Sequence, residues 1–228
     1  MQTVEMRVIA RIQSEFHEKF GIPRQSGLVP SLRSKIIFEP EFQHPDALRG
    51  IEGFSHLWLI WLFSESIRKE WSPTVRPPRL GGNTRVGVFA TRSPFRPNAI
   101  GLSCVKLEQI LQESDHGKVL IVSGADLMDG TPIFDIKPYL PYADCIPDAA
   151  GGFANDAPIE KLTIVDDHSL LQTVSHCKRD ALMSVLRLDP RPSYQNDPDR
   201  IYGMIFADYN IRFYVLDDQI HIISIEHV

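Results

Sequence analysis

The chain has 228 residues, of which 43% are hydrophobic and 23% charged, a balance that is ordinary for a globular protein with one large or two small domains. Its longest apolar run, residues 57–63, is far too short to span a bilayer, and the charged N-terminus lacks a secretory apolar segment. The three cysteines are isolated and lack the paired spacing of zinc or redox sites. We therefore expect a cytoplasmic protein with reduced thiols, no metal and no membrane contact.

The first 146 residues predict short strands separated by turns. Alternating apolar residues predict strands at 4–12, 35–39, 118–123 and 133–136. The apolar run at 55–63 predicts a buried central strand, residues 46–48 a helical turn, and Asp129-Gly130 a tight turn. The glycines and prolines of residues 18–30 predict a loop. This pattern indicates a barrel or a sandwich rather than alternating strands and helices.

Residues 71–107 contain six basic side chains and no Asp or Glu, although the whole chain has a formal charge of −5. Such a local reversal of sign favours an anionic partner. Strands predicted at 86–90 and 100–105 flank the proline-rich turn 91–98, so that Arg92 and Arg96 would lie on a loop held between two buried strands. An arginine guanidinium matches a carboxylate or a phosphate, whereas the structural alternative is a charged surface turn with Phe95 tucked inside.

The rest of the chain has a different pattern. The small and polar residues 147–158 predict a linker. Asp166 or Asp167 is expected to cap a helix that runs to about Leu188, because apolar residues recur there on one face. Strands are predicted at 201–207, 211–216 and 219–225, the last two joined by a hairpin at Asp217-Asp218. Residues 159–228 thus predict a small α+β C-terminal domain after a mainly β N-terminal domain, 1–146.

Familiar nucleotide-binding motifs are absent. Residues 82–87 have the glycine spacing of a phosphate-binding loop but lack its Lys and Ser or Thr, which argues against a nucleotide triphosphatase. No GxGxxG motif follows a strand, which argues equally against a Rossmann cofactor site. Four carboxylates lie close together in the sequence, namely Asp126, Asp129, Asp135 and Asp144. They are compatible with an acid/base pair or a divalent-metal site, but turn chemistry is the favoured interpretation.

Several ordered segments resemble the TsaA/TrmO family. They are PRQSGLV at 23–29, GIEGFSHLWLIWLF at 50–63, PTVRPPRLGGN at 73–83, VGVFATRSPFRPNAIGLS at 86–103 and DLMDGTPIFDIKPYLPYAD at 126–144. The family usually has Pro where this chain has Ala99, a change that relaxes Asn98 slightly. The C-terminal part, with DPRP at 189–192, is similar to the extra domain of bacterial members.

The resemblance implies a non-Rossmann β-barrel and a homodimeric, S-adenosylmethionine-dependent tRNA (adenine-N6)-methyltransferase. Its expected reaction is methylation of N6 of N6-threonylcarbamoyladenosine at position 37, in the anticodon arm. Such a nitrogen is a poor nucleophile until its proton leaves, so a base is expected, but no residue is singled out for that role. The alternative is a non-catalytic S-adenosylmethionine- or RNA-binding sensor or adaptor module.

The resemblance also implies which residues bind the cofactor. They are Pro23, Arg24, Gln25, Phe63, Ser64, Arg92, Leu102, Asp126, Leu127, Met128, Asp129, Gly130 and Thr131. Leu102 and Phe63 would supply apolar walls, Asp126 or Asp129 would accept hydrogen bonds from the ribose, and Arg24 or Arg92 would bind the methionine carboxylate. For RNA, phosphates would be neutralised by Arg76, Arg79, Arg85 and Arg96. Phe95 or a C-terminal tyrosine would stack on a splayed base.

Overall fold

The fold is mostly β. A computed structural model describes the chain except for residues 1, 157–161, 193–194 and 196. In the N-terminal part the strands are β1 (Ala10–Gln13), β2 (Arg33–Phe38), β3 (His56–Leu62), β4 (Thr74–Val75), β5 (Val86–Gly87), β6 (Ile100–Glu113), β7 (Gly117–Ser123) and β8 (Pro132–Pro138). The elements that follow are α1 (Pro141–Asp144), β9 (Thr163–Val165), α2 (His176–Arg187), β10 (Tyr202–Phe206), β11 (Tyr209–Leu216) and β12 (Gln219–His227).

Six strands form the main sheet in the order β1-β2-β7-β6-β3-β8, and β1 also pairs with β8, so that the order returns to its start. The predicted central strand is confirmed as β3, where Leu57, Leu59 and Trp61 are buried and the intervening residues are only partly buried. This alternation follows from the pleat, which sends successive side chains to opposite faces. The buried face of β3 joins one hydrophobic core with Ile12, Ile36 and other inward residues.

The pairing of β3 with β6 sets the geometry at one end of this sheet. Trp61 is the partner of Gly101, and a Cβ atom on Gly101 would overlap the Trp61 ring. The missing side chain therefore makes room for the indole, whose Nε1 donates a hydrogen bond to Ser103 Oγ at 3.0 Å. β6 runs to Glu113 and is longer than the predicted strand, which ended at residue 105.

The C-terminal residues build a second sheet in the order β10-β11-β12-β9, with β9 parallel to β12. The hairpin prediction is confirmed, because Asp217 and Asp218 connect β11 to β12 with φ angles of 46° and 59°. Such left-handed angles match the twist of a two-residue hairpin turn. The helix α2 buries Ala181, Leu182, Val185 and Leu186 in the second core.

The long connection between β1 and β2 also belongs to the second core. Phe16, Val29 and Leu32 are at most 2% exposed and cluster with the buried residues of β10, β11 and α2. The Phe16 ring packs edge-on against Phe206, with centroids 5.6 Å apart. Residues 16–32 therefore tie the N-terminal sheet to the C-terminal sheet.

Two strand predictions in the N-terminal part are wrong. The strand predicted at 4–12 begins only at Ala10, and Val4 and Met6, which are 76% and 48% exposed, precede the paired region. The strand predicted at 86–90 stops at Gly87, and residues 88–90 form a 3-10 turn. The reason is local, because Thr91 donates through both its N–H and its hydroxyl to Val88 O.

The predicted helix 166–188 is also partly wrong. The Asp166 carboxylate accepts hydrogen bonds from the N–H groups of Leu170 and Leu171 and so stabilises a 3-10 turn, Leu170–Thr173. α2 begins only at His176. Of the predicted linker, residues 147–156 are described and all exposed, whereas 157 and 158 lie outside the described residues. Within the described part of the chain, no helix is long and apolar enough to cross a membrane.

Candidate active site

Asp126 lies at the centre of the candidate site, just beyond the C-terminal end of β7. Its Oδ1 accepts a hydrogen bond from Ser103 Oγ at 2.5 Å. Ser103 is fully buried and also accepts the hydrogen bond of the Trp61 indole. The Trp61–Ser103–Asp126 chain is therefore fixed by the register of β3 and β6, and the carboxylate is held by a rigid scaffold.

Burial raises the pKa of the Asp126 carboxyl. The Ser103 hydroxyl, nearby backbone N–H groups and the Arg92 guanidinium all act in the opposite direction, because they stabilise the charged form. Asp126 is thus a largely desolvated carboxylate in the electrostatic field of a guanidinium. Such groups are typical of binding sites.

Residues 25–27 are hydrogen-bonded to residues around this carboxylate. Gln25 Oε1 accepts a hydrogen bond from Arg92 Nη1 at 2.6 Å, and Ser26 Oγ accepts one from the N–H of Cys104 at 3.1 Å. Gly27 N–H donates to Gly124 O at 2.8 Å. Gly124 has a φ of +76°, and a side chain there would press on the Gly27 backbone at 3.2 Å. These bonds bring Gln25, Arg92 and Asp126 together although they are far apart in sequence.

Two apolar residues predicted for the cofactor adjoin members of this cluster. Leu102 points away from the core and is 53% exposed, one residue before Ser103. Phe63 is partly buried, with its ring centroid 4.2 Å from that of Trp61, and its N–H donates to Ala99 O. Ser64 follows at the start of a 3-10 turn, Ser64–Ser66. The exposed leucine is therefore adjacent to Ser103 in the chain, and the Phe63 ring lies next to Trp61.

Other predicted cofactor residues make structural contacts. Leu127 is 1% exposed in the first core, and its carbonyl accepts a hydrogen bond from Ser14 Oγ. Met128 O accepts bonds from the buried Thr131. Asp129 Oδ1 accepts a bond from Ser14 N–H at 2.9 Å, and Gly130 N–H donates to Ile12 O. Residues 127–131 thus form a turn tied to β1, which separates Asp129 from the contacts of Asp126.

The loop residues just before Gln25 make structural contacts of their own. Pro23 is buried, and Arg24 donates to Arg191 O at 3.0 Å. Of the remaining carboxylates, Asp144 accepts the Trp58 indole N–H and Asp135 pairs with Lys137. In the described residues, no three His, Cys, Asp or Glu side chains are grouped as a metal-ligand set.

We define the arginine arm as residues 71–98. The expectation that its loop lies between two buried strands is wrong, because the preceding strand β5 is short and poorly buried. Arg85 donates to Thr74 Oγ1, Arg79 to Asp156 O and Arg96 to Thr91 O, whereas Arg76 is exposed. Among the described residues, no carboxylate forms an ion pair with any arginine of the arm.

Ser26, Ser103 and Trp61 were missed as site residues. A signal for Ser103 was present in the sequence, since it shares the inward phase of β6 with Gly101 and Val105 and is the polar member of that row. A polar residue on a buried face requires a partner. Which partner it has depends on long-range pairing that the sequence does not display.

Family models match both parts of the chain. The model of the tRNA-methyltransferase O N-terminal domain matches residues 11–145, and that of the TrmO C-terminal domain matches residues 168–228. The chain belongs to the TrmO family. A relative from Escherichia coli K12, named tRNA (adenine(37)-N6)-methyltransferase, is 40% identical over 99% of both chains.

Other relatives agree with this family assignment. A Pseudomonas aeruginosa protein named as a putative S-adenosylmethionine-dependent methyltransferase is 42% identical over 95% of both chains. A crystal structure of TrmO from Pseudomonas aeruginosa has a TM-score of 0.81 at 33% identity, covering 100% of this chain and 99% of that one. The similarity therefore extends over both sheets.

Proposed function

We propose that this TrmO-family chain transfers a methyl group from S-adenosylmethionine to N6 of adenosine 37 in tRNA, and that the accepted nucleoside carries the N6-threonylcarbamoyl group. The observation that carries the proposal is the hydrogen bond of Ser103 to Asp126, with the Arg92–Gln25 pair beside this carboxylate. Support comes from a relative with that activity in its name, which is 40% identical over 99% of both chains.

The residues present fit the cofactor. S-adenosylmethionine supplies an electrophilic methyl group on a positively charged sulfur. A carboxylate such as Asp126 accepts hydrogen bonds from ribose hydroxyls, and the Arg92 guanidinium matches the methionine carboxylate. Leu102 and Phe63 offer apolar surface to the adenine. Holding the nucleophile and the methyl group in line contributes about 7–11 kcal/mol of barrier lowering.

The arginine arm is the proposed tRNA surface. Arg76, Arg79 and Arg85 are exposed and have no carboxylate partner among the described residues, so their charge is available to phosphates. Arg96 is half-buried and braces its own loop through Thr91 O, so its role is to support the loop more than to contact RNA. We place the anticodon arm against this surface because the target adenosine must reach Asp126 and Arg92.

The proposal extends to the assembly and the architecture. The six-stranded sheet is the non-Rossmann β-barrel of the family, supported by the pairing of β1 with both β2 and β8. The chain divides at the linker 147–158, supported by the separate family matches on its two sides. The protein works in the cytoplasm as a homodimer, as the family resemblance implies.

Incubation with labelled S-adenosylmethionine tests the activity. We expect label in tRNA that bears N6-threonylcarbamoyladenosine and none in tRNA lacking that group, as read by mass analysis of nucleosides. Equal labelling of both tRNAs would remove the substrate assignment. The absence of label from both would remove the enzymatic one.

One observation favours a second candidate, a non-catalytic S-adenosylmethionine-binding module. A Pyrococcus abyssi relative named as a probable S-adenosyl-L-methionine-binding protein is 37% identical over 60% of this chain and 69% of that one. Such a module gains thermal stability from the cofactor but does not consume it when tRNA is added. Measuring cofactor turnover beside the melting temperature separates the two candidates.

A further inference from the structure

Two large aromatic rings stand exposed on the arginine arm. Trp71 is 53% exposed and Phe89 is 74% exposed, and their ring centroids lie 6.2 Å apart with 31° between the planes. The backbone beneath them is ordered, because β4 pairs with β5 and Val88 N–H donates to Pro73 O at 2.9 Å. Exposed apolar rings held in place by a hairpin are typical of an interaction surface.

The charge around the rings selects the occupant. Arg76 follows β4 and Arg85 precedes β5, so both lie at the turn end of the hairpin whose open end carries the aromatic pair, and no acidic residue occurs between 71 and 107. A hairpin that carries flat aromatic rings at one end and arginines without carboxylate partners at the other fits single-stranded nucleic acid, whose bases stack while its phosphates bind cations. A two-fold contact between copies of this chain that covered the hairpin would enclose these arginines without a carboxylate from the arm to pair with them, which is unfavourable.

The pair is also close to the candidate active site. Phe89 precedes Arg92 by three residues, so their Cα atoms are no more than about 11 Å apart. Arg92 in turn contacts Gln25 and lies beside Asp126. A nucleotide adjacent to the one under reaction would therefore come within reach of the rings.

Phe95 is a poorer stacking surface than this pair. It is only 38% exposed, and the Arg68 guanidinium covers one face of its ring, 3.7 Å from the centroid. Trp71 and Phe89, rather than the Phe95 expected from the sequence, are therefore the rings better exposed for stacking on a base. Phe89 in particular has no such cation over its ring in the described structure.

We propose that Trp71 and Phe89 form a stacking platform for an unpaired anticodon-loop base next to adenosine 37. This inference rests on the proposed function and adds a positioning role to it. By stacking on the neighbouring base, the rings hold the loop open so that adenosine 37 turns toward Asp126. Stacking is tolerant of base identity, so the platform selects an open loop rather than a sequence.

The test compares leucine variants with aromatic ones, because leucine keeps apolar volume but removes the flat ring. Trp71→Leu and Phe89→Leu are expected to raise the KM for tRNA and the Kd for an anticodon stem-loop about 5- to 150-fold, the range that corresponds to the loss of one stacked base. Trp71→Phe and Phe89→Tyr should stay within about 2-fold of wild type. Tyr142→Leu, which removes another highly exposed ring outside the arm, is the matched control and should change neither value.

A double-mutant cycle that combines a change in the RNA with a change in the protein makes the test specific. An abasic residue beside position 37 should weaken wild-type binding but add nothing to Phe89→Leu, because the stacked partner is already lost. Additive losses would overturn the platform. So would leucine variants with wild-type affinity, or leucine variants that change the sedimentation mass of the protein, which would assign the rings to a second copy.

Failure of the proposed function has a different signature. It appears as no methyl incorporation by the wild-type chain, whatever the state of residues 71 and 89. The platform is then still measured by stem-loop binding, whose dependence on the aromatic rings does not require turnover. Trp71 fluorescence, compared with that of Trp71→Phe, should be quenched when the stem-loop binds, and an unchanged signal would count against contact.

Discussion

The six-stranded sheet and the arginine arm hold their side chains in different ways. In the sheet, every second residue of β3 is buried, and Leu57 and Leu59 are completely inaccessible. In the arm, Val88 is the one buried residue, and the loop is held by hydrogen bonds such as those from Thr91 and Arg96 to backbone carbonyls. Burial fixes the first region, whereas local polar contacts fix the second.

This difference separates stability from recognition. Asp126 and Ser103 are placed by strands of the sheet, so the polar cluster of the site depends on a packed core. The aromatic and basic side chains of the arm bury little surface, so replacing them removes little packing. Arg92 joins the two regions, since it belongs to the arm but contacts Gln25 beside Asp126.

The largest effect on folding is expected from the centre of the sheet. Leu59→Ala removes a completely buried side chain and leaves a cavity, which should lower the free energy of unfolding by about 2–5 kcal/mol. Phe89→Ala removes a larger side chain from the arm but should change the free energy of unfolding by no more than about 0.5 kcal/mol, because that side chain is exposed. Urea denaturation of both variants measures the contrast, and equal losses would show that the arm contributes to the core.

A smaller effect is expected where the sheet meets the site. Gly101→Ala places a methyl group against the Trp61 ring, so we expect a loss of about 1–3 kcal/mol from overpacking. It should also disturb the bond from Trp61 to Ser103, and therefore cofactor binding. Gly87→Ala in the arm is the matched control, because its added methyl group meets nothing within 4 Å. A stable Gly101→Ala variant with normal cofactor affinity would contradict the proposed role of this contact.

Prediction from sequence worked where the signal is local. The buried strand β3 follows from one alternating apolar run, and the hairpin at Asp217-Asp218 follows from two turn residues between two strands. It failed where side chains compete with the backbone, as Asp166 does by accepting N–H bonds that a longer helix would have used. It also missed the packing of residues 16–32 with the C-terminal core, which depends on contacts distant in sequence.

The candidate site divides in the same way. The reversal of charge identified the arginine arm, and the family motifs identified Gln25, Arg92 and Asp126. The bond from Ser103 to Asp126 was not predictable, because it requires the registers of β3, β6 and β7 together. The sequence alone likewise did not show that Asp126, and not Asp129, lies with Ser103 and Arg92. Asp129 instead accepts a hydrogen bond from Ser14, through the turn at 127–131.

A further, pH-dependent effect on stability is expected from the Asp126 carboxyl of the site. Burial raises the pKa of Asp126, so the native chain holds this proton more tightly than the unfolded chain. The carboxyl therefore contributes to stability below its ordinary pKa of about 3.9, and this contribution is lost as the pH rises through the folded pKa. Asp126→Asn should thus gain stability relative to wild type as the pH is raised from 4 to 8, while its affinity for S-adenosylmethionine falls.

Unfolding curves and cofactor titrations at several pH values check this trade-off. Asp135→Asn is the control, since Asp135 forms an exposed ion pair with Lys137 and has no contact with the cluster. It should leave cofactor affinity unchanged at every pH. If the difference in free energy of unfolding between wild type and Asp126→Asn did not vary with pH, the raised pKa of this carboxyl would not be what determines its contribution to stability.

The smallest effect on folding, and the sharpest division of function, is expected from two arginines of the arm. Arg92→Ala and Arg76→Ala should each change the free energy of unfolding by no more than about 0.5 kcal/mol, because both side chains are exposed. Arg92→Ala loses the bond to Gln25 and a cation beside Asp126, so it should weaken S-adenosylmethionine binding. Arg76→Ala should leave the cofactor alone and reduce the salt dependence of tRNA binding, with a slope about 0.7–0.9 smaller. Titrations of S-adenosylmethionine and of tRNA at several salt concentrations distinguish the two variants, since one loses affinity for a small ligand and the other for a polyanion. An Arg92→Ala variant with normal cofactor affinity would assign Arg92 to tRNA binding instead.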